Sequence, residues 1–417
     1  MKKAKRIVIL GAGFGGLVSA ILLAKKNHEL EIVLIDKNSE HLYTPWLYDV
    51  ATSFLVKPKN KEIALLKKVS AVSIKELIKM HGFKNLRFRQ AEIQGVDVKT
   101  KHVLLKSGMT LAYDFLVVAL GAKTTYYGIP GMEKFALPMK TLEDGMQVQE
   151  RIGELVKEVI AGESGVKNIV IVGAGPTGTE TAAELVNFFQ ASNRNGVKIS
   201  EKIRVSLVDS APRVLNFLDP YISQVATNRL KKLGVDLRTE TAILKVQDKT
   251  VFTTNEEIPY DVLIWAGGIV PSEISKSIKL KKDNKGRIIS RQTTQAEGAD
   301  DVFVIGDCAG FYPAGNVQAL PQTGWAAVDA GKVAVQNILS LTKGGELISY
   351  FPPRKHPVAV TVGGQFGVGS ASHFKFSGYF AFVLRRLIDL RYFLTIMPAL
   401  QAIKFWSKGT RTLMKND

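Results

Sequence analysis

Residues 5–36, KRIVILGAGFGGLVSAILLAKKNHELEIVLID, decide the fold. A basic lead-in gives way to the apolar run 7–10, then Gly11, Gly13 and Gly16, a helical apolar pattern, and a second apolar run ending at Asp36. This order predicts strand, glycine turn, helix, strand. Each glycine is there for a physical reason. Gly11 permits the tight turn, Gly13 lets backbone approach a pyrophosphate, and Gly16 lets helix and strand pack closely. The helix N-terminus then offers unpaired N–H groups and its positive dipole end to phosphate. Asp36, at the end of the second strand, is placed to accept hydrogen bonds from ribose hydroxyls. The stretch therefore predicts a dinucleotide-binding unit.

The pattern recurs. Residues 167–180, KNIVIVGAGPTGTE, carry Gly173, Gly175 and Gly178, and KIRVSLVDS at 202–210 supplies Asp209 in the position of Asp36. Each unit is followed by its own buried strand, YDFLVVALGAKT (113–124) with Gly121 and YDVLIWAGGIVPS (260–272) with Gly267. These near-copies are internal repetition. A tightly held flavin dinucleotide and an exchangeable nicotinamide dinucleotide are the natural pair of ligands. Asp209 would repel the 2′-phosphate of NADPH and so favours NADH, a preference tempered by Arg213 four residues on.

Three further stretches line the expected crevice. The aromatic loop HLYTPWLYDVATSFL (41–55) follows the second strand, where loops at the carboxyl ends of strands meet the ligand. Its Tyr43, Thr44, Pro45 and Trp46 either reach the reactive end of a cofactor or form a hydrophobic plug. VFVIGDCAG (302–310) reads as another buried strand, with Asp307 set to bond ribityl hydroxyls or a phosphate-bound water, the alternative being a turn-capping acid. LPQTGWAAVDAGKVAVQNIL (320–339) reads as a helix starting near Gln322 or Thr323, its N-terminus suited to negative charge on a reduced flavin ring.

Composition sets the bounds. A chain of 417 residues, 46% hydrophobic, holds two or three domains with full cores. The single cysteine, Cys308, excludes an internal disulfide, dithiol redox chemistry and a multi-cysteine zinc site, and no metal site is expected. The first strand begins by about Ile7, so no signal or transit segment is expected ahead of it. The formal charge of +18 admits nucleic acid, an anionic membrane surface or a solvated basic exterior. No nucleic-acid motif accompanies it. Residues 374–417 carry eight Lys and Arg against Asp389 and Asp417, in a segment rich in aromatics and leucine whose longest uncharged run is about a dozen residues. That is short of the roughly 18 to 20 needed to span a bilayer. Two amphipathic helices broken near Pro398, aromatic and leucine residues on one side and Lys or Arg on the other, fit an anionic membrane interface. A helical homodimer interface is the alternative.

GAGFGGL, HLYTPWLYDVA, LGAKTTYYGIPGMEKFALPMKTLED, GAGPTGTETAAEL and the C-terminal SGYFAFVLRRLIDLRYF together resemble the two-dinucleotide-binding-domain flavoproteins, and within them the type II NADH:quinone oxidoreductases. The resemblance implies an α/β fold of two Rossmann-like domains, the second inserted in the first: FAD-binding over 1–115 and 290–345, NADH-binding over 116–289, and a C-terminal membrane-associating region over 346–417. It implies FAD at Gly11, Gly13, Gly16, Asp36 and Asp307, with Thr44 and Gly121 alongside. NADH falls at Gly173, Gly175, Gly178 and Asp209, with Gly267 alongside, and the electron acceptor is a membrane quinone. Glu180 matches the family's glutamate near the nicotinamide–flavin contact; the alternative is a first-turn acid serving the helix dipole. Trp325 and Asp329 replace the glutamines usual on the following helix, which leaves Gln322 as the quinone-site candidate and Asp329, with Glu180, as a proton relay. The expected location is peripheral, on the cytoplasmic side of the cell membrane. LPQTG is also similar to sulfide:quinone oxidoreductases, which need cysteines beside the flavin. A further alternative is a flavin-bearing membrane or nucleic-acid binding protein that signals without turnover.

Overall fold

The computed structural model describes residues 4–55, 60–192, 198–353 and 357–414. Two sheets, each parallel around one glycine fingerprint, organise it. In the first, β1 (Arg6–Leu10) lies between β2 (Glu31–Asp36) and β3 (Phe115–Val118), all parallel. In the second, β4 (Lys167–Val172) lies between β5 (Ile203–Val208) and β6 (Val262–Trp265), again all parallel. Helix α1 (Phe14–Lys26) follows β1 as α3 (Pro176–Ala191) follows β4, and α2 (Leu142–Ile160) leads into the second sheet. The strands read as unbroken Val, Ile and Leu because both faces are covered, as parallel sheets require. Ile7 and Ile9 pack towards α1 and the helix α4 (Gly324–Thr342), whereas Val8 and Leu10 face a second core.

Repetition extends past the fingerprints. Each sheet carries on one face a three-stranded antiparallel meander, formed by 93–97, 102–105 and 110–112 in the first half and by 243–247, 250–253 and 257–259 in the second. The YD turn then does the same work twice. Asp114 accepts the backbone N–H of Arg6 at 2.7 Å, and Asp261 accepts that of Asn168 at 2.8 Å, so each acid pins the start of its central strand.

The domain boundaries differ from those expected. Phe115–Val118 pairs with Ile7–Leu10 and also with the strand β7 (Ala299–Val304), so the first sheet keeps all of β3 and the chain leaves it only afterwards. It crosses at Ala122–Thr124 and returns at Ile269–Pro271, two segments paired as an antiparallel ribbon. Residues 274, 278 and 280 already pack in the first domain's core, well before the expected return at 290.

The break at Pro398 is where the sequence places it, between α5 (Tyr379–Ile396) and α6 (Ala399–Leu413). α5 does not divide into an apolar and a basic side as expected, because Phe382, Tyr392, Phe393 and Ile396 are buried on the same face as charged residues. Arg385, Arg386 and Asp389 are buried, while Tyr379, Phe380, Leu387, Ile388 and Leu394 are on the outside. α6 behaves as a conventional amphipathic helix, with Lys404, Lys408 and Arg411 exposed and Ala402, Gly409 and Leu413 buried.

Candidate functional site

The two glycine loops repeat the same close glycine contacts. Gly11 and Gly173 have φ of +98° and +106°, a region open to glycine, and a Cβ on either would meet backbone of Ala119 or Ala266 at 2.3 or 2.7 Å. A Cβ on Gly16 or Gly178 would lie 1.9 Å from the carbonyl of Gly11 or Gly173. Gly13 and Gly175 differ in kind. They cap the N-termini of α1 and α3, and a Cβ there would meet nothing within 4 Å. Each loop is therefore sealed behind and open in front, where the helix N–H groups point. This space and polarity fit a pyrophosphate.

The acids close each loop from the side. Asp36 accepts the N–H groups of Ala12 at 2.7 Å and Asn38 at 2.8 Å; Asp209 accepts those of Ala174 at 2.6 Å and Ala211 at 2.8 Å. A carboxylate has about four acceptor sites, so both retain capacity for ribose hydroxyls. Arg213 does not face outward. Its Nε donates to Asn216 Oδ1 and its Nη2 to the carbonyls of Asn216 and Leu218, which ties it to its own loop, while Nη1 has no hydrogen-bond partner among the described residues.

The other expected positions lie outside the two loops. Gly121 has φ of +65° and its carbonyl accepts Ser272 N–H, so it sits at the ribbon joining the domains. Gly267 has the Trp265 ring 2.6 Å from where its Cβ would be. Asp307 follows β7 and lies 3.6 Å from the ammonium of Lys140, across the domain boundary. Gln322 donates to the Asp307 carbonyl at 2.7 Å and so ties the approach to α4 onto that turn. Thr44 is exposed at the start of a short 3-10 helix, Thr44–Trp46. Asp329 pairs with Lys332 at 2.9 Å on the same helix. Cys308 is fully buried and its thiol is pushed up to about 12 by that burial, an inert packing residue.

Glu180 is not a first-turn acid. It is the fifth residue of α3, buried, and its carboxylate accepts from Thr361 N–H at 3.4 Å and Thr361 Oγ1 at 3.3 Å. Thr361 Oγ1 also meets the Tyr48 hydroxyl at 2.9 Å. Burial raises the Glu180 carboxyl to about 7, against the pull of Arg385, with Asp49 adding to the rise. The group can thus hold or release a proton near neutral pH.

Glu180 borders a buried ionic cluster that the sequence does not announce. Asp389, fully buried, accepts from Tyr43 Oη at 2.7 Å, from Trp46 Nε1 at 2.9 Å and from Arg385. Arg386 donates to Asp49 at 3.2 Å. Two guanidinium groups and two carboxylates balance, so the cluster with Glu180 is neutral when Glu180 is protonated. Burial alone would lower the arginine pKa values, but Asp389 around Arg385 and Asp49 around Arg386 outweigh it and both rise. Tyr43 and Trp46 are therefore neither free ligands of a cofactor nor a plain hydrophobic plug; they anchor α5. The signal for this in the sequence is faint: Asp389 lies one turn beyond an arginine pair, and Asp49 interrupts the apolar run LYDVA.

Residues 5–331 match the pyridine nucleotide-disulphide oxidoreductase family. The type II NADH:quinone oxidoreductase of Staphylococcus haemolyticus is 30% identical over 93% of this chain and 94% of that protein. NdhA of Mycobacterium tuberculosis, also a type II NADH:quinone oxidoreductase, is 28% identical over 96% of this chain and 86% of its own. Among solved structures, NDH2 of Plasmodium falciparum in complex with NADH covers 99% of both chains with a TM-score of 0.84 at 16% identity. The sulfide:quinone oxidoreductase of Aquifex aeolicus covers 94% of this chain and 91% of its own with a TM-score of 0.77 at 19% identity. These two likenesses show a shared fold.

Proposed function

The chain belongs to the type II NADH:quinone oxidoreductases of the pyridine nucleotide-disulphide oxidoreductase family, and we propose that its first cradle holds FAD and its second holds NADH. It is an enzyme that carries electrons from NADH to quinone. The observation that carries the reading of two dinucleotide cradles is the duplicated loop, sealed behind by Gly11, Gly16, Gly173 and Gly178 and open at Gly13 and Gly175. Bound FAD supplies the redox chemistry, accepting a hydride from NADH and passing two electrons on to the quinone.

The residues of the chain supply position and protons. Gly13 and Gly175 admit the two pyrophosphates, Asp36 and Asp209 bond the riboses, and Asp307 with Lys140 meets the middle of the flavin nucleotide. Thr44, Gly121 and Gly267 border the space between. Glu180 holds the proton the reaction exchanges near neutral pH, with Thr361 and Tyr48 in hydrogen-bond contact with it. Gln322 borders the acceptor side through its bond to the Asp307 carbonyl.

The outer face of the C-terminal pair docks on an anionic membrane surface. Leu387, Ile388, Leu394, Leu400 and Ile403 form its apolar part. Beside them a groove of about 430 Å³ between Leu65 and α6 is lined by Lys404, Lys408 and Arg411. Apolar contact flanked by cations is what an interfacial helix requires. No helix among the described residues is long and apolar enough to cross a membrane; we place the attachment at the surface, on the cytoplasmic side. The sulfide:quinone alternative requires cysteines beside the flavin, whereas the one cysteine here is buried and unreactive.

Anaerobic stopped-flow tests the reading. NADH should bleach the flavin absorbance of detergent-solubilised protein, and a soluble quinone analogue should restore it. Bleaching by sulfide and not by NADH would overturn it. Vesicle flotation tests the docking: Leu387→Asp with Ile388→Asp should abolish co-flotation with anionic vesicles. A homodimer through the same face would instead appear in sedimentation as a mass halved by those substitutions, with vesicle binding unchanged.

A further inference from the structure

A trans peptide sets its C=O and the following N–H in opposite directions, and the described chain has no cis peptide. Whatever holds the carbonyl of the second loop residue therefore aims the N–H of the next glycine. In the second cradle the main holder is backbone: Ala174 O accepts the N–H of Leu215 at 2.8 Å, with the Thr179 hydroxyl of the same domain a longer second donor at 3.3 Å, and this turns the Gly175 N–H towards the open side. Leu215 stands six residues after Asp209. In the first cradle His41 stands five residues after Asp36, and its Nδ1 lies 2.8 Å from Ala12 O. A side chain does there what backbone does in the copy.

The histidine is itself held. Ala12 O can only accept, so Nδ1 carries the hydrogen and Nε2 is an acceptor; the Tyr392 hydroxyl, 2.7 Å away, donates to it. The ring is buried, and burial lowers its pKa to about 4, which keeps this neutral tautomer in place. Phe14 meets the ring edge-on at 5.4 Å and packs on Tyr392 at 4.7 Å, while Tyr43 stacks on Tyr392 at 5.3 Å. Tyr392 belongs to α5, the helix whose other face is the proposed membrane contact.

We propose that His41 is a positioning residue for the flavin nucleotide: it holds the Ala12 carbonyl so that the Gly13 N–H faces the pyrophosphate, and through Tyr392 it makes that aim depend on the seating of α5. This rests on the reading of the first cradle as the FAD site. Flavin retention is thereby coupled to the C-terminal helices, and nucleotide binding in the second cradle is not.

The test follows FAD release from the diluted holoenzyme by recovery of free-flavin fluorescence, with NAD⁺ affinity measured alongside by calorimetry. His41→Ala removes the donor and should speed release about tenfold or more, the effect of one lost hydrogen bond to a buried carbonyl. In His41→Asn the amide nitrogen takes the place of Nδ1, and release should stay within about threefold of the parent. Tyr392→Phe should fall between them. NAD⁺ affinity should be the same in all. Release from His41→Ala at the parental rate, or from His41→Asn as fast as from His41→Ala, would mean that the imidazole only packs. If His41→Ala does not fold, Tyr392→Phe still decides the link to α5: a parental rate removes it. Parent protein that purifies without FAD would overturn the cofactor assignment itself, before any variant is made.

Discussion

The first and second cradles share their backbone and differ in where they are anchored. Both use a left-handed glycine, a tight glycine contact, an acid bonded to the loop and an aspartate at the YD turn. In the second, every one of these contacts, and the Leu215 N–H that holds Ala174, comes from the same domain. In the first, the loop is tied through His41 to Tyr392, and its neighbours Tyr43 and Trp46 are tied to Asp389, more than 340 residues away. A ligand that stays and a ligand that leaves at every turnover can thus share one loop design. What separates them is how much of the rest of the molecule must move before the loop relaxes.

Substitutions can break that comparison, and the largest effect is expected at the open glycines. Gly13 and Gly175 have extended backbone and free space at Cβ, so valine should leave the fold intact while filling the pyrophosphate position. Gly13→Val should purify colourless. Gly175→Val should purify yellow yet show no bleaching by NADH, and absorbance spectra with and without NADH distinguish the two. Yellow Gly13→Val protein would mean the cradles are assigned the wrong way round.

Next in size is the anchor. Asp389→Ala leaves Arg385 buried without its carboxylate and orphans the Tyr43 and Trp46 donors, a loss of about 3–5 kcal/mol. Denaturant unfolding should register it, with flavin released early in the transition because the first cradle depends on α5. Simultaneous loss of both nucleotides would show that the cradles are not independently anchored.

Glu180 is buried against Thr361, and its effect depends on pH. Its carboxyl is raised from 4.5 to about 7 in the fold, so its contribution is fully present below pH 4.5 and is lost as pH rises through 7. Glu180→Gln should match the parent in stability near pH 4 and exceed it at pH 8 by on the order of a few kcal/mol. Equal stability at both pH values would mean that the carboxylate is solvated.

The smallest effect belongs to the second cradle. Arg213 is occupied by Asn216 and Leu218, so Arg213→Ala should cost about 1 kcal/mol and leave the ratio of NADH to NADPH turnover unchanged. A shift in that ratio would mean that the guanidinium reaches the ribose.

Much of this is legible in the chain. Strands, glycine loops, acids and YD turns are local patterns whose spacing is fixed by the geometry of one strand, one turn and one helix, and each falls where the sequence puts it. The same holds for the break at Pro398. The crossing between domains is misplaced by the sequence pattern because 115–118 and 262–265 read alike, while only pairing with Ala299–Val304 shows which sheet keeps the former. The pattern also misplaces the faces of α5, because a charged residue on an amphipathic helix is expected to face water; here Asp49, Tyr43 and Trp46 supply partners that make burial of Arg385, Arg386 and Asp389 tolerable.

By itself, then, the sequence determined two dinucleotide-binding units and their order along the chain, because these depend on side chains that are absent, on glycine's freedom and on charge at fixed spacing. Tertiary structure alone decided which face of α5 turns inward, that Glu180 is buried with its proton near neutral pH, and that His41 stands where a backbone N–H stands in the other copy. Those outcomes depend on partners brought together from distant parts of the chain, and local spacing carries no record of a neighbour that only folding supplies.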